Sequence, residues 1–298
     1  MGISVGRFVL DENSLEICMA LAEATGLPFN KRAIERNAGQ LSTLYVDDIK
    51  AALAPRFADV RVAEFSQLKI NAYSSESQIS SRPFVHVDQL FEIWVHLLIH
   101  LWSIRAIHVL TGSNLEGFNK LVIWSLDIRD EPATYKEVRD EMLHVFAQYG
   151  EALRFAHDLT VGSMSFIICH ELAHHELDHL NQDPSPDLEL TADELGYAIM
   201  KEAFANAATM STIRPRTFSM ICPWIILQIL DISERRRAQR LGLKERARHS
   251  RHPLTSDRIE NVLTLTQLGR DPDVLHFLNG YQEAVSKIRS DLALESIG

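Results

Sequence analysis

The segment SFIICHELAHHELDHLNQ, residues 165–182, contains the pattern H-E-x-x-H twice in immediate succession. The first copy runs from His170 to His174, and the second runs from His175 to His179. Two histidines at this spacing lie on one face of a helix, where both imidazoles can bind one metal ion. The glutamate of such a motif can act as the general base of metal-assisted hydrolysis. The segment therefore predicts a hydrolytic metal site.

The two copies differ in the polarity of the helix face that they occupy. With His170 at zero on a wheel of about 100° per residue, His174 lies at about 40° and borders an apolar arc. Four residues define this arc: Phe166, Ala173, Leu177 and Leu180. His175 and His179 lie at about 140° and 180°, on a polar face. We therefore expect the first copy to be buried and to hold the metal, with Glu171 as the base.

The chain just after the motif offers a third ligand. Ser185 and Pro186 are favourable residues for starting a second helix, as cap and as first helical residue. Glu189 and Asp193 then lie four residues apart on one face of that helix. Catalytic zinc takes three protein ligands and leaves one position for water, so we predict that Glu189 completes a Zn²⁺ site and Asp193 receives an imidazole N–H. Gly196, on nearly the same face, permits close approach of the two helices.

The remaining sequence predicts a small sheet followed by a helical body. Residues 60–65, 68–73 and 84–87 have strand character, and a polar segment joins the last two as in a hairpin. Two short helices are predicted before these strands, over 13–25 and 46–53, and helical periodicity marks the chain after them, over 88–110, 134–159, 161–180, 186–205, 217–230, 253–268 and 274–292. We therefore predict an α+β fold in which a small N-terminal antiparallel sheet packs on a mainly helical body.

The net charge of −10 disfavours general binding to nucleic acid, because neutralising phosphates requires clustered Lys and Arg. One segment differs from this trend. Residues 234–251 contain eight Lys or Arg and two acidic residues. Two interpretations stay open: a solvated helix and loop, or a surface that contacts an acidic partner.

Cysteine usage and hydropathy bear on the cellular compartment. Cys18, Cys169 and Cys222 lie among apolar residues, which indicates free thiols in a reducing environment. The apolar run 90–110 contains one glutamate, one arginine and three histidines, so burying it in a membrane would be costly. No signal-peptide pattern is evident at the N-terminus. We expect a cytoplasmic protein with no membrane span.

Two neighbouring stretches of the chain resemble signatures of the gluzincin zinc metallopeptidases, notably the CAAX prenyl protease and heat-shock protease group. The signature H-E-x-x-H-x-x-x-x-H matches HELAHHELDH, and the signature E-x-x-A-D matches the start of ELTADELG. The short gap between the motifs makes the chain more similar to the Lit-like phage-exclusion peptidases of bacteria. HVDQLFEIW at 86–94 and HPLTSDRI at 252–259 resemble further elements of that family. The resemblance covers four short blocks between residues 86 and 259. From the chain length we expect one metallopeptidase domain over 1–298, with a helical extension at 1–59, a zincin-like core at 60–270 and a C-terminal helix at 271–298.

The resemblance also implies roles for individual residues. It assigns the zinc ligands to His170, His174 and Glu189, the catalytic base to Glu171, and support of the ligands to Asp193. His252 would face the scissile carbonyl, although a helix-start histidine without chemistry is an equally weighted interpretation. Arg258 would stabilise the oxyanion or, as we favour, pair with a buried acid.

These observations predict a zinc-dependent endopeptidase that cleaves a cytoplasmic protein substrate, with the resemblance implying phage exclusion or a related stress response. The substrate would dock in extended form along an edge strand, for which 84–87 is the candidate. The alternative is a metal-binding regulatory protein of the ImmA/IrrE type, which binds a partner with little or no proteolysis. A purely structural zinc site is a third possibility, and it would be closed by four protein ligands.

Overall fold

A computed structural model describes most of the chain from the first strand to the last helix. The residues it describes are 49, 51, 53, 56–65, 72–76, 83–111, 118–127, 144, 145, 149–206, 217–242, 255–266 and 272–294. Within these ranges the chain forms a three-stranded sheet and a helical body, which confirms the predicted α+β class. Most of the predicted extension at 1–59, with Cys18, lies outside the described residues, as does His252.

The elements follow the predicted order. The strands are β1 (Arg61–Phe65), β2 (Ala72–Glu76) and β3 (Pro83–Asp88). The helices are α1 (Gln89–Thr111), α2 (Phe118–Asp127), α3 (Gly150–Glu176), α4 (Pro186–Asn206), α5 (Thr217–Arg240), α6 (Thr255–Thr266) and α7 (Pro272–Asp291). A 3-10 turn, His179–Asn181, lies between α3 and α4. Helix α2 was not predicted.

The sheet is mixed, with strand order β1-β3-β2. β2 pairs with β3 antiparallel, as the hairpin pattern predicted, and Tyr73 lies opposite His86. β1 pairs with β3 parallel, so the prediction of a wholly antiparallel sheet is wrong. The reason is that β2 lies on the far side of β3 and reverses the chain between β1 and β3. The central position of β3 also shows that the edge-strand prediction for 84–87 is wrong, because both edges of this strand are already paired.

Helix α1 lies in the middle of the core. Its described side chains from Phe91 to Ala106 are buried, and Trp94 and Trp102 are among the largest fully buried residues of the described chain. This explains why the run 90–110 is so apolar, as predicted for a helix packed inside a protein. None of the helices in the described ranges is long and apolar enough to cross a membrane.

Helix α3 begins at Gly150, later than the start predicted at 134, and it continues through residue 160, where the sequence predicted a boundary between two helices. Thr160 is tolerated inside the helix because its hydroxyl donates to the carbonyl of Ala156 at 2.8 Å. The helix also ends earlier than predicted, at Glu176 rather than at residue 180. Asp178 adopts the left-handed conformation, with φ of 54°, and directs the chain into the 3-10 turn.

Helix α5 extends ten residues beyond its predicted end at 230, into the basic segment. Arg235 pairs with Asp231 at 2.7 Å, and Arg236 and Arg240 lie 2.8 Å and 3.5 Å from the carboxylate of Asp127 at the end of α2. These contacts engage three of the four arginines in the helical part of the segment, whereas Arg237 is exposed. The other basic residues of the segment, at 244–251, lie outside the described ranges, so both interpretations of the segment stay open.

Candidate metal centre

Helices α3 and α4, which carry the predicted ligands, pack closely at one point. A Cβ atom on Gly196 of α4 would lie only 2.7 Å from the Cα atom and 2.9 Å from the backbone nitrogen of His170 on α3. Real Cβ atoms do not come this close to backbone, so the helix crossing requires glycine at this position. The close crossing brings the first turn of α4, with Glu189, next to the two histidines of the first motif copy.

Three side chains from these helices form a triangle of possible ligand atoms. The Nε2 atoms of His170 and His174 are 3.1 Å apart. Glu189 Oε2 lies 3.5 Å from His170 Nε2, and Glu189 Oε1 lies 3.7 Å from His174 Nε2. All three side chains are largely buried, with 5%, 13% and 15% of the His170, His174 and Glu189 side chains exposed.

The triangle fits a small divalent metal ion. Ligand atoms about 2.0–2.1 Å from a tetrahedral zinc ion lie roughly 3.3 Å from one another. The observed separations of 3.1, 3.5 and 3.7 Å lie close to this value. Two imidazoles and one carboxylate are also ligands that zinc takes in hydrolytic sites, with one position left for water. The donor set and its spacing are therefore compatible with a bound metal.

Asp193 lies behind His170 and is completely buried. Its Oδ1 atom is 2.9 Å from His170 Nδ1, an ion-pair contact at the ring nitrogen away from the ligand side, although the geometry falls short of a well-directed hydrogen bond. The guanidinium of Arg258 on α6 donates to both oxygens of Asp193, from Nε at 2.7 Å and from Nη2 at 2.6 Å. The structure thus places Arg258 in a buried pair with Asp193, and its Nη1 atom lies 3.7 Å from Glu189.

The charged contacts around the ligand triangle keep the carboxylates of Glu189 and Asp193 ionised. Burial opposes ionisation of Glu189, yet its contacts with His170 and Arg258 hold its pKa well below the usual value. Burial likewise disfavours a charged His170, but Asp193 and Glu189 together raise its pKa to about 9. The pKa of Asp193 is lowered because Arg258 and His170 outweigh its burial. A cation between His170, His174 and Glu189 would meet the same ionised carboxylates.

Glu171 occupies a separate position beside the ligands. It is 8% exposed, and burial raises the pKa of its carboxyl group. Ser74 on β2 contacts it twice, with Oγ 2.7 Å from both the carboxylate Oε2 and the backbone carbonyl of Glu171. This contact fixes the side chain of Glu171 against the sheet. No sequence signal pointed to Ser74, because a lone serine in a strand has no characteristic spacing.

The second motif copy does not form a second ligand pair. α3 ends at Glu176, so His175 and His179 no longer share a helix face. His175 Nε2 instead contacts the carbonyl of Phe84 on β3 at 2.9 Å. Glu176 is exposed and pairs with Arg56 at 2.6 Å. His179 is buried, which differs from the polar face predicted for a continuous helix.

We expect Gly196→Ala to disturb both stability and metal binding. Overpacking costs about 1–3 kcal/mol and outweighs the gain in helix propensity of about 1 kcal/mol, since the new methyl group meets backbone. Because α4 must move away from His170, Glu189 moves with it, and the affinity for Zn²⁺ in a chelator competition falls. The matched control is Gly162→Ala, whose Cβ would lie 2.4 Å from Cys222 Sγ on α5, away from the ligands. Equal loss of zinc affinity in both variants would contradict the prediction.

Comparison with known proteins finds a family but no individual relative. No curated protein and no solved structure matches the chain significantly. Residues 104–278 match the family described as Peptidase U49, a match that includes the whole ligand triangle, Asp193 and Arg258. This family match supports the resemblance to Lit-like peptidases. A relationship to the gluzincins and the CAAX prenyl protease group stays a prediction. Since the match covers more than half of the chain, the protein belongs to the Peptidase U49 family.

Proposed function

We propose that the protein is a zinc-dependent endopeptidase in which His170, His174 and Glu189 hold Zn²⁺ and Glu171 is the catalytic base. The observation that carries this proposal is the buried ligand triangle, with a buried glutamate directly beside it in the chain. Membership of a peptidase family supports the hydrolytic part of the proposal. The two imidazoles and one carboxylate favour zinc as the metal.

The proposed chemistry divides into a metal part and a protein part. Bound zinc would polarise the scissile carbonyl and lower the pKa of a water molecule toward 7. Glu171 accepts the proton of the attacking water and delivers it to the departing amine. The burial that raises the pKa of Glu171 suits this exchange, because a base must also release its proton near neutral pH. Ser74 holds the carboxylate in place during both transfers.

The residues around the ligands have supporting roles in the proposal. Asp193 keeps the ring of His170 in the tautomer that leaves Nε2 free, and Arg258 balances the charge of Asp193. His252, implied by the resemblance to face the scissile carbonyl, stays a proposal for stabilising the oxyanion. Its position in the chain, six residues before Arg258, is compatible with a place near the site.

For the substrate we propose an extended segment of a cytoplasmic protein. One way in which a protein binds an extended peptide is by adding it as a strand to an exposed sheet edge. In the described part of the sheet, β2 is an outer strand, and its Ser74 contacts Glu171. A peptide paired with β2 would therefore pass close to the base. The resemblance to phage-exclusion peptidases extends the proposal to a role in phage defence or a related stress response.

The test combines metal analysis with a search for products. Purified protein should contain one zinc ion per chain by elemental mass spectrometry. Cells that express the wild type should contain new protein N-termini that are absent from cells expressing Glu171→Gln at the same level. Zinc-loaded protein that creates no new N-termini, and whose Glu171→Gln variant keeps full biological activity, would contradict proteolysis and favour the ImmA/IrrE type of regulator.

A further inference from the structure

The second motif copy contains one buried imidazole that the proposed chemistry does not use. His179 is 8% exposed, whereas its neighbour Leu180 is 38% exposed and Asp178 is also exposed. The turn therefore directs a polar side chain inward and an apolar side chain outward. Burying an imidazole costs free energy unless a polar contact compensates for the lost water. A compensating contact should therefore exist on the inner side of the turn.

That contact is made with a proposed metal ligand. His179 Nδ1 lies 3.0 Å from His174 Nδ1. The other ring nitrogen of His174, Nε2, lies 3.1 Å from His170 Nε2, at the candidate metal position. If Nε2 binds a metal, the one proton of the neutral ring is on Nδ1. His174 Nδ1–H then donates to His179 Nδ1, which must carry no proton.

The end of α3 is what makes this contact possible. On a continuous helix, residue 179 would lie about 140° around the axis from His174, too far for the rings to meet. The left-handed Asp178 ends the helix and turns the next residue back toward the ligands. Asn181 Nδ2 donates to Asp178 Oδ1 at 2.6 Å, and Gln182 Nε2 donates to the carbonyl of Leu177 at 3.1 Å. The geometry of the turn is thus held by its own side chains.

We propose that His179 is a positioning residue that accepts the hydrogen bond of His174 Nδ1–H and holds Nε2 of His174 toward the metal. The inference rests on the proposed metal site and extends it. Ligand histidines usually donate to a carboxylate, a carbonyl or water, and here an imidazole takes that place. A neutral ring orients His174 without adding charge to a site that already contains Glu189 and Asp193.

The first experiment titrates the full-length apo protein with Co²⁺ and Zn²⁺. His179→Leu removes the acceptor at similar volume, and His179→Asn restores one, because its Oδ1 atom can occupy nearly the place of Nδ1. We expect His179→Leu to weaken binding of both ions by about 10- to 100-fold, with an altered visible spectrum of bound Co²⁺, and His179→Asn to recover most of the affinity. His175→Leu is the matched control, since it removes an imidazole contact to Phe84 rather than to a ligand.

The outcomes separate this inference from the proposed function. If His179→Leu binds Co²⁺ with the affinity and spectrum of the wild type, the positioning role is wrong while the metal site stands. If the wild type binds neither Co²⁺ nor Zn²⁺, the positioning role and the proposed metal site are both wrong. If His175→Leu weakens binding as much as His179→Leu does, the effect reflects general loss of structure and the inference also fails.

A second experiment needs no substitution and so does not depend on a variant folding. Nuclear magnetic resonance of the zinc-loaded wild type with isotope-labelled histidine reports which nitrogen of each ring is protonated. We expect the proton of His174 on Nδ1 and the proton of His179 on Nε2. A proton on Nδ1 of His179 in the zinc-loaded protein would rule out the proposed acceptor.

Discussion

Glu171→Gln should slow peptide-bond cleavage by about 100- to 10,000-fold while the zinc content stays that of the wild type. The amide cannot accept the proton of the attacking water, and it retains nearly the shape and volume of the carboxylate. Ser74 can still donate to the amide oxygen, so the side chain should keep its position. The measurement is kcat on a substrate identified from new N-termini, together with zinc analysis of the same samples.

The tandem motif supplies a matched control for this substitution. Glu176→Gln makes the same change in the second copy, where the glutamate is exposed and pairs with Arg56. Losing an exposed ion pair costs about 0–1 kcal/mol, and this glutamate has no proposed role in proton transfer. We expect kcat near that of the wild type. Equal losses in the two variants would show that the choice of the first copy as the catalytic one is wrong.

Arg258→Met should destabilise the protein by about 3–5 kcal/mol, the cost of removing one partner from a buried ion pair. Asp193 is completely buried and receives two hydrogen bonds from Arg258, so the substitution leaves its charge without that partner. The measurement is the free energy of unfolding in urea at neutral pH, with zinc removed by a chelator so that metal binding does not contribute.

A pair with similar geometry at the surface serves as the control. Arg56 donates to both oxygens of Glu176, at 2.8 Å and 2.6 Å, and to Glu202 at 2.6 Å, but these side chains are between one-third and nearly one-half exposed. Arg56→Met should therefore cost only about 0–1 kcal/mol. If Arg258→Met costs no more than Arg56→Met, the pair with Asp193 does not have the stabilising role that its burial indicates.

The sequence was most informative where one helix or two neighbouring helices determine the geometry. The spacing of His170, His174 and Glu189, together with Gly196, predicted that these residues converge, and the structure brings them together. Helical periodicity fixes which side chains share a face, and a short connection between helices leaves few ways to pack them. The chemical roles of these residues stay predictions until metal binding and cleavage are measured.

The sequence was least informative about sheet pairing and helix ends. The order β1-β3-β2 depends on contacts between segments that lie far apart in the chain, and strand patterns alone do not encode it. The early end of α3 depends on Asp178 adopting a positive φ, which an aspartate tolerates but does not require. The wheel that placed His179 on a polar face assumed a continuous helix, and for that reason it missed the contact with His174.

The distances along the chain between contacting residues bear on how the site assembles during folding. The helices that carry His170 and Glu189, α3 and α4, are joined by a short loop, and closing a short loop costs little entropy. Ser74 and Glu171 are separated by 97 positions, and Arg258 and Asp193 by 65. We therefore expect the nascent α3–α4 hairpin to gather its metal-binding groups early, from local contacts of low contact order. The carboxylate of Glu171 would acquire its fixed orientation only when the distant sheet docks.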